Sequence, residues 1–336
     1  MIELRNDALV FSFPDVHRDA VLSIDFQRTL RIPDDDGEYP LPPGLGSFPV
    51  RHIDDHAERV PERWLSHGGV MLPMYQSEAM WLSFDSPERY PFAVRIAAGK
   101  INAVTGDEWT NELNAEPQDY VVVPDQPWLD GYCVERGVIR QFVAMPLGSG
   151  YSAEEQLTGQ AEHGGVQIVA YPMKREAYDR LRRRERRAFF VAEGDAICYS
   201  MAPASMDMGL APGGRMRQEI YDDPHSFDVW DTRQASRCFV HLTNALVWRS
   251  ITTQDPPTTP PTADEYTRAG LPWFEYYASD LRALAGGERF GGMKSVAQLG
   301  KQKGDVPLPE NTPVEPGNVI RLRAGLRKDQ VREGAF

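Results

Sequence analysis

The residues best spaced for chemistry form the run His52-Ile53-Asp54-Asp55-His56. On a helix, histidines four apart share one face. Neutral imidazole suits a borderline divalent metal, and Asp55, one position away, offers an oxygen ligand. A complete site needs a further ligand, and His17 or the carboxylates between Asp222 and Asp231 could supply it. The same run also reads as a solvated helix start, acidic where the helix dipole favours negative charge. A second cluster, from Tyr221 to Asp231, collects four aspartates and His225 around Pro224. Hard cations prefer oxygen ligands, but this spacing lacks the glycine turn of an EF-hand loop. Asp223-Pro224 reads more simply as a turn.

Two glycine patterns fall short of known motifs. His67-Gly68-Gly69-Val70 with Tyr75, and His163-Gly164-Gly165-Val166 with Tyr171, match at five of nine positions, ninety-six residues apart. That spacing hints at an internal repeat. His-Gly-Gly also resembles the oxyanion loop of lipase-like hydrolases, but such a loop works with a Gly-x-Ser-x-Gly elbow, which this chain does not contain. Gly286 to Ser295 misses a phosphate loop because Met293 separates glycine from Lys294-Ser295.

Lys174–Arg187 holds eight Lys/Arg against three Asp/Glu. Its arginines surround a helix instead of lining one groove, so Arg182, Arg183 and Arg186 are read as a solvated helix face or as contacts to an acidic second copy, not to nucleic acid. Trp273 and Tyr277, on one side of an expected helix, are read as core or as a hot spot for the same contact.

The elements that must position these groups are mostly strands. Val21–Ile32 alternates Leu22, Ile24, Phe26, Leu30 and Ile32 with polar residues, broken by Arg28, as a half-buried strand does. Val138–Met145 and Val166–Tyr171 are short apolar runs entered through glycine. Between them Ser152 and Glu155 have capping-box spacing. Further strands are expected at 70–84, 92–104, 120–123, 196–201, 236–243 and 318–322. Tyr39–Val50, rich in proline and glycine, reads as a surface loop. Lys174–Val191 is the clearest helix.

The predicted fold is therefore α+β: predominantly antiparallel sheet, sandwich-like, with one prominent helix and a partly helical C-terminal section. Residues 1–254 form the β-rich main domain, Asp255–Thr262 (DPPTTPPT) a semi-rigid linker, and 263–336 a section packed on that domain.

A net charge of −13 argues against a general nucleic-acid surface. Cys133, Cys198 and Cys238 are far apart, as for buried thiols of a reducing compartment. With no signal-peptide pattern and no long apolar run, the expectation is a cytoplasmic protein with no membrane insertion.

The segments Leu41-Pro-Pro-Gly-Leu-Gly46, Gln141-Phe-Val-Ala-Met-Pro-Leu-Gly-Ser-Gly-Tyr151, Gly209-Leu-Ala-Pro-Gly-Gly-Arg-Met-Arg-Gln-Glu219 and Gly270-Leu-Pro-Trp-Phe274 resemble an uncharacterised family of bacteria and some fungi. Some of its members carry the label "integral membrane protein", which this composition opposes. No activity, cofactor or catalytic residue comes with the resemblance.

Three functional readings result. The first is a soluble, non-enzymatic binding or assembly protein with homo-oligomeric contacts and no cofactor. The second is a metal-dependent hydrolase, its divalent metal held by His52, Asp55 and His56 with Asp54 alongside. The third is a carbohydrate- or peptide-binding β-sandwich that uses exposed tryptophans.

Overall fold

The computed structural model describes residues 1–35, 37–185, 207–276 and 281–322. Its fold is α+β and β-rich. The larger of two main sheets runs from Ile2–Arg5 and Ala8–Ser12 through Val21–Thr29, Ala79–Asp85, Val138–Pro146 and Met208–Arg217 to Glu38–Tyr39. The smaller follows the order Ile101–Asn102, Phe92–Ala98, Val166–Pro172, Ser236–Asn244, Val70–Met74, Arg51–His52. Most pairs are antiparallel. Val70–Met74 is an exception and lies parallel to Ser236–Asn244.

Patterning explains how the sheets face each other. In Val21–Thr29, Leu22, Ile24 and Phe26 are fully buried while Ser23, Asp25 and Gln27 are half-exposed. Phe92–Ala98 and Val166–Pro172 are buried along their whole length, the polar Arg95 and Gln167 included. Phe26, Leu82 and Phe142 of the larger sheet share one apolar core with Val94, Ile168 and Val240 of the smaller.

Arg28, which breaks the alternation in sequence, is 1 % exposed. Its Nε donates to Glu78 Oε1 at 2.7 Å, and its Nη2 donates to the Thr258 carbonyl at 2.9 Å. Glu78 Oε2 accepts the Tyr75 N–H at 2.9 Å. Burial pushes the Glu78 carboxyl up, and the Arg28 charge draws it back. Tyr75 Oη also donates to the Pro257 carbonyl, at 3.1 Å. The proline-rich 255–262 segment is thus fastened to the main body at two successive carbonyls.

The structure departs from the sequence expectation at several elements. Tyr39–Val50 is not a surface loop: Tyr39, Leu41, Leu45, Phe48 and Val50 are buried, and Gly44–Ser47 pairs with Val21–Thr29. Met208–Arg217 forms a ten-residue strand despite Pro212 and three glycines. It pairs with Val138–Pro146 along almost its whole length, and a register shift absorbs Gly213-Gly214. Trp273 lies in the strand Trp273–Glu275, not in a helix.

The helix Arg175–Glu185 occupies the start of the expected 174–191 element. Residues 186–191, the expected strand at 196–201 and Cys198 lie outside the described residues, as does the tail from 323. Cys133 is buried and Cys238 partly so, and burial pushes both thiols up to about 12. Among the described residues no helix is long and apolar enough to cross a membrane.

Removing one partner of the buried ion pair strands the other. Arg28→Met is expected to destabilise the protein by about 3–5 kcal/mol. The double variant Arg28→Met/Glu78→Leu should lose less than Arg28→Met alone. Urea unfolding of both variants checks this, and equal losses would contradict it.

Candidate functional site

The two His-Gly-Gly segments, far apart in sequence, meet on one strand. Val70 and Val166 both pair with Val240, from opposite sides of Ser236–Asn244. Val70–Met74 leaves that point parallel to the central strand, and Val166–Pro172 leaves it antiparallel. The arms thus depart in opposite directions, as about a rough two-fold axis.

Glycine is required where each arm touches the centre. A Cβ on Gly69 would stand 2.1 Å from the Phe239 carbonyl oxygen, and one on Gly165 2.5 Å from that of Val240. Both residues have positive φ, 90° and 57°.

Each histidine is held by a different device. His67 ends the helix Glu62–His67, which starts directly after Pro61. Gly68 caps it, donating to the Trp64 and Leu65 carbonyls. His163 lies on a loop organised by Glu154, a 2 % exposed residue of the helix Ala153–Thr158. The Glu154 carboxylate accepts the backbone N–H groups of Glu162, His163 and Gly164 at 2.8–2.9 Å. Ser152 and Glu155 form the expected capping box at the start of that helix.

Lys100 joins them from the hairpin between Phe92–Ala98 and Ile101–Asn102. Its φ of 58° is left-handed. Its N–H donates to Gln167 Oε1 at 2.5 Å, and Gln167 Nε2 donates to the Gly164 carbonyl at 2.9 Å.

The rings form a cluster. His67 lies parallel to Phe239 at 4.6 Å, Phe239 stacks on His241 at 4.3 Å, and His241 stacks on Trp64 at 4.7 Å. The His67 and His163 centroids are 6.2 Å apart. His67 is exposed and His163, Phe239 and Lys100 are half-exposed, whereas His241 is 2 % exposed.

All three imidazoles are held toward the neutral form. Burial and then the Lys100 charge lower both His67 and His163. Burial, with smaller effects of His67 and Arg63, lowers His241 to about 3. His241 Nε2 is 3.1 Å from the Gly68 carbonyl, which can only accept, so the neutral ring carries its proton on Nε2.

The residues singled out from sequence lie elsewhere. His52 is exposed in the strand Arg51–His52, while Asp54, Asp55 and His56 form one 3₁₀ turn, so the expected shared helix face does not exist. His17 stacks on Tyr90 and meets Tyr178 edge-on. Among the described residues no group of three His, Cys, Asp or Glu side chains is placed to hold a metal ion.

Asp222, Asp223 and His225 line a cleft of about 390 Å³ with Glu116, Tyr120 and Phe227. Both of its aspartates are already engaged. Asp223 accepts from Tyr120 Oη, Trp230 Nε1 and the His225 N–H, and Asp222 pairs with Arg282 at 3.1 Å.

Trp273 cannot serve as a partner contact, because it is 0 % exposed and packs on Tyr39 and Tyr266. Arg182 lies 3.7 Å from Glu88 and over the Tyr178 ring. Arg183 is exposed. Arg186 and Tyr277 lie outside the described residues.

Two measurements test this geometry. Gly69→Ala is expected to cost at least about 2 kcal/mol, since it adds a backbone clash to a positive φ. Gly159→Ala, left-handed but with open space around it, should cost only about 1–2 kcal/mol. Denaturant unfolding ranks them, and equal costs would remove the close approach as the reason for Gly69.

His241 makes stability fall in acid. Its folded value lies below the unfolded 6.5, so the unfolded chain binds the extra proton, and stability declines as pH drops from about 6.5 towards about 3. His241→Gln, which keeps a donor for Gly68, should reduce that decline by one proton, about 1.4 kcal/mol per pH unit in mid-window. Unfolding midpoints between pH 4.5 and 8 would show it, and an unchanged slope would refute it.

Compared with family models, with curated proteins and with solved structures, the chain matches none.

Proposed function

We propose that the protein is a binding protein that takes a small ligand at the face formed by His67, His163, Phe239 and Lys100. One observation carries this reading: two Gly-Gly turns, a hairpin and a central strand bring these solvent-accessible side chains to one place. Neutral imidazoles can donate and accept hydrogen bonds, and a flat aromatic surface beside them supplies apolar contact. This is the binding half of the expected binding-or-assembly role. With Trp273 buried, assembly retains only Arg182 and Arg183 among the described residues.

A second reading has its own observation. Paired residues share a face of the larger sheet, which puts Asp25, Ser83 and Trp128 in one row and Gln27 beside Trp81 in the next. Trp81 meets Trp128 edge-on at 6.2 Å, and Tyr276 lies 4.9 Å from Trp128. Aromatic rings beside a carboxylate and an amide suit a sugar.

Thermal shift against a panel of organic acids, sugars, nucleotides and divalent metals separates the two. The expected ligand stabilises the wild type and the Trp81→Ala variant, but not His67→Ala/His163→Ala. It should also be recovered unchanged by mass analysis. Hits lost only in Trp81→Ala would favour the sugar reading. If every stabilising compound keeps its effect without the histidines, the proposal is refuted.

A further inference from the structure

We propose that the ligand of the histidine face is an organic anion, a carboxylate on a planar ring, and that its binding brings a proton onto the imidazole pair. The inference rests on the reading of this face as a binding site.

The charges around the pair do not balance. From the helix Glu62–His67, Arg63 pairs with Asp207. From the helix Ala153–Thr158, Glu154 is taken up by three backbone N–H groups. Glu162 comes within 4.0 Å of His163 Nε2, but its side chain is 61 % exposed, and water screens it. On the central strand, His241 is tied to the Gly68 carbonyl. Lys100 is different. Among the described residues its ammonium has no hydrogen bond and no ion pair, and the same holds for the His67 ring nitrogens.

An anion would complete this arrangement. A carboxylate on the Lys100 ammonium makes charge-assisted hydrogen bonds that nothing else in the site supplies. It also offsets the Lys100 charge, which after burial is the next influence lowering His67 and His163. An anion within ~4–6 Å favours imidazolium, so binding draws one proton from solvent onto a ring nitrogen. The imidazolium N–H forms as the buffer acid gives up its proton, and no other covalent bond changes. The ring of the ligand is argued from His67, which is exposed and lies parallel on Phe239 at 4.6 Å, so that a planar ring can continue the stack beside the charge. Acetate or inorganic phosphate would use only the charged part.

Calorimetric titration of the full chain at pH 7 with benzoate, acetate and inorganic phosphate tests this. Two buffers of different ionisation heat report the protons taken up. Benzoate should bind about tenfold more tightly than acetate, with measurable proton uptake. Lys100→Met should weaken benzoate at least about tenfold, the loss of one charge-assisted hydrogen bond, while Lys100→Arg retains it. Equal heats in the two buffers, or an unaffected Lys100→Met, would overturn the inference. Phosphate binding more tightly than benzoate would overturn the planar carboxylate in favour of a phosphoryl group. If none of the three binds while a neutral compound from the thermal-shift panel still depends on His67, the anion falls and the site stands. If no compound depends on His67, both fall together.

Discussion

The close approach of Gly69 and Gly165 to the carbonyls of Phe239 and Val240 governs the smaller sheet. A strand can leave the same residue of its neighbour in two opposite directions only if the chain turns sharply on both sides. Paired glycines with positive φ allow that turn without a Cβ in the way. Everything at the histidine face follows from it. His67 is carried onto Phe239 by one turn, and His163 is brought alongside by the other. The likeness of the two segments is local, because one begins at a helix end and the other in a loop fastened by Glu154. Two copies of one short solution serve one strand.

Buried charge is the second organising theme. Arg28 with Glu78 and Arg95 with Asp119 are ion pairs withdrawn from water, and Arg95 also donates to the carbonyls of Thr110 and Glu112. Such pairs contribute little net stability, since desolvation offsets most of the attraction. Their effect is to fix which segments meet. Arg28 brings the Val21–Thr29 strand to the proline-rich 255–262 segment, and Arg95 holds the loop near residue 110 against Phe92–Ala98. The same low dielectric keeps His241 neutral.

Much of the fold was legible in the sequence. The alternation in Val21–Thr29, the apolar runs of Val138–Pro146 and Val166–Pro172, and the Ser152/Glu155 capping box reported local physics directly. Met208–Arg217 was hidden because Pro212, Gly213 and Gly214 read as breakers. In the folded chain, a Cβ on Gly214 would lie 2.1 Å from the Pro33 carbonyl oxygen, so glycine is there to admit a neighbouring backbone. Tyr39–Val50 misled for a related reason, since its prolines drew attention from its apolar residues. The site was half legible. The repeated His-Gly-Gly-Val could be seen, but its shared partner strand depends on long-range pairing that no local pattern encodes. The spacing of His52 and His56 was visible too, yet a strand followed by a 3₁₀ turn undid the helical geometry that gave it meaning.

The hydrogen bond from Arg28 to Thr258 has a bearing on how this chain can be divided. A segment such as DPPTTPPT, read by composition, invites a cut or a graft, as between independently folding modules. Here its Thr258 carbonyl completes the surroundings of a cation deep in the first 254 residues. A protein ended before residue 255 would keep the guanidinium and lose one of the acceptors that satisfy it in the folded chain. The C-terminal section is therefore a solvent substitute for the main body as much as a neighbour of it, and recombination at this seam meets an electrostatic barrier rather than a question of linker length.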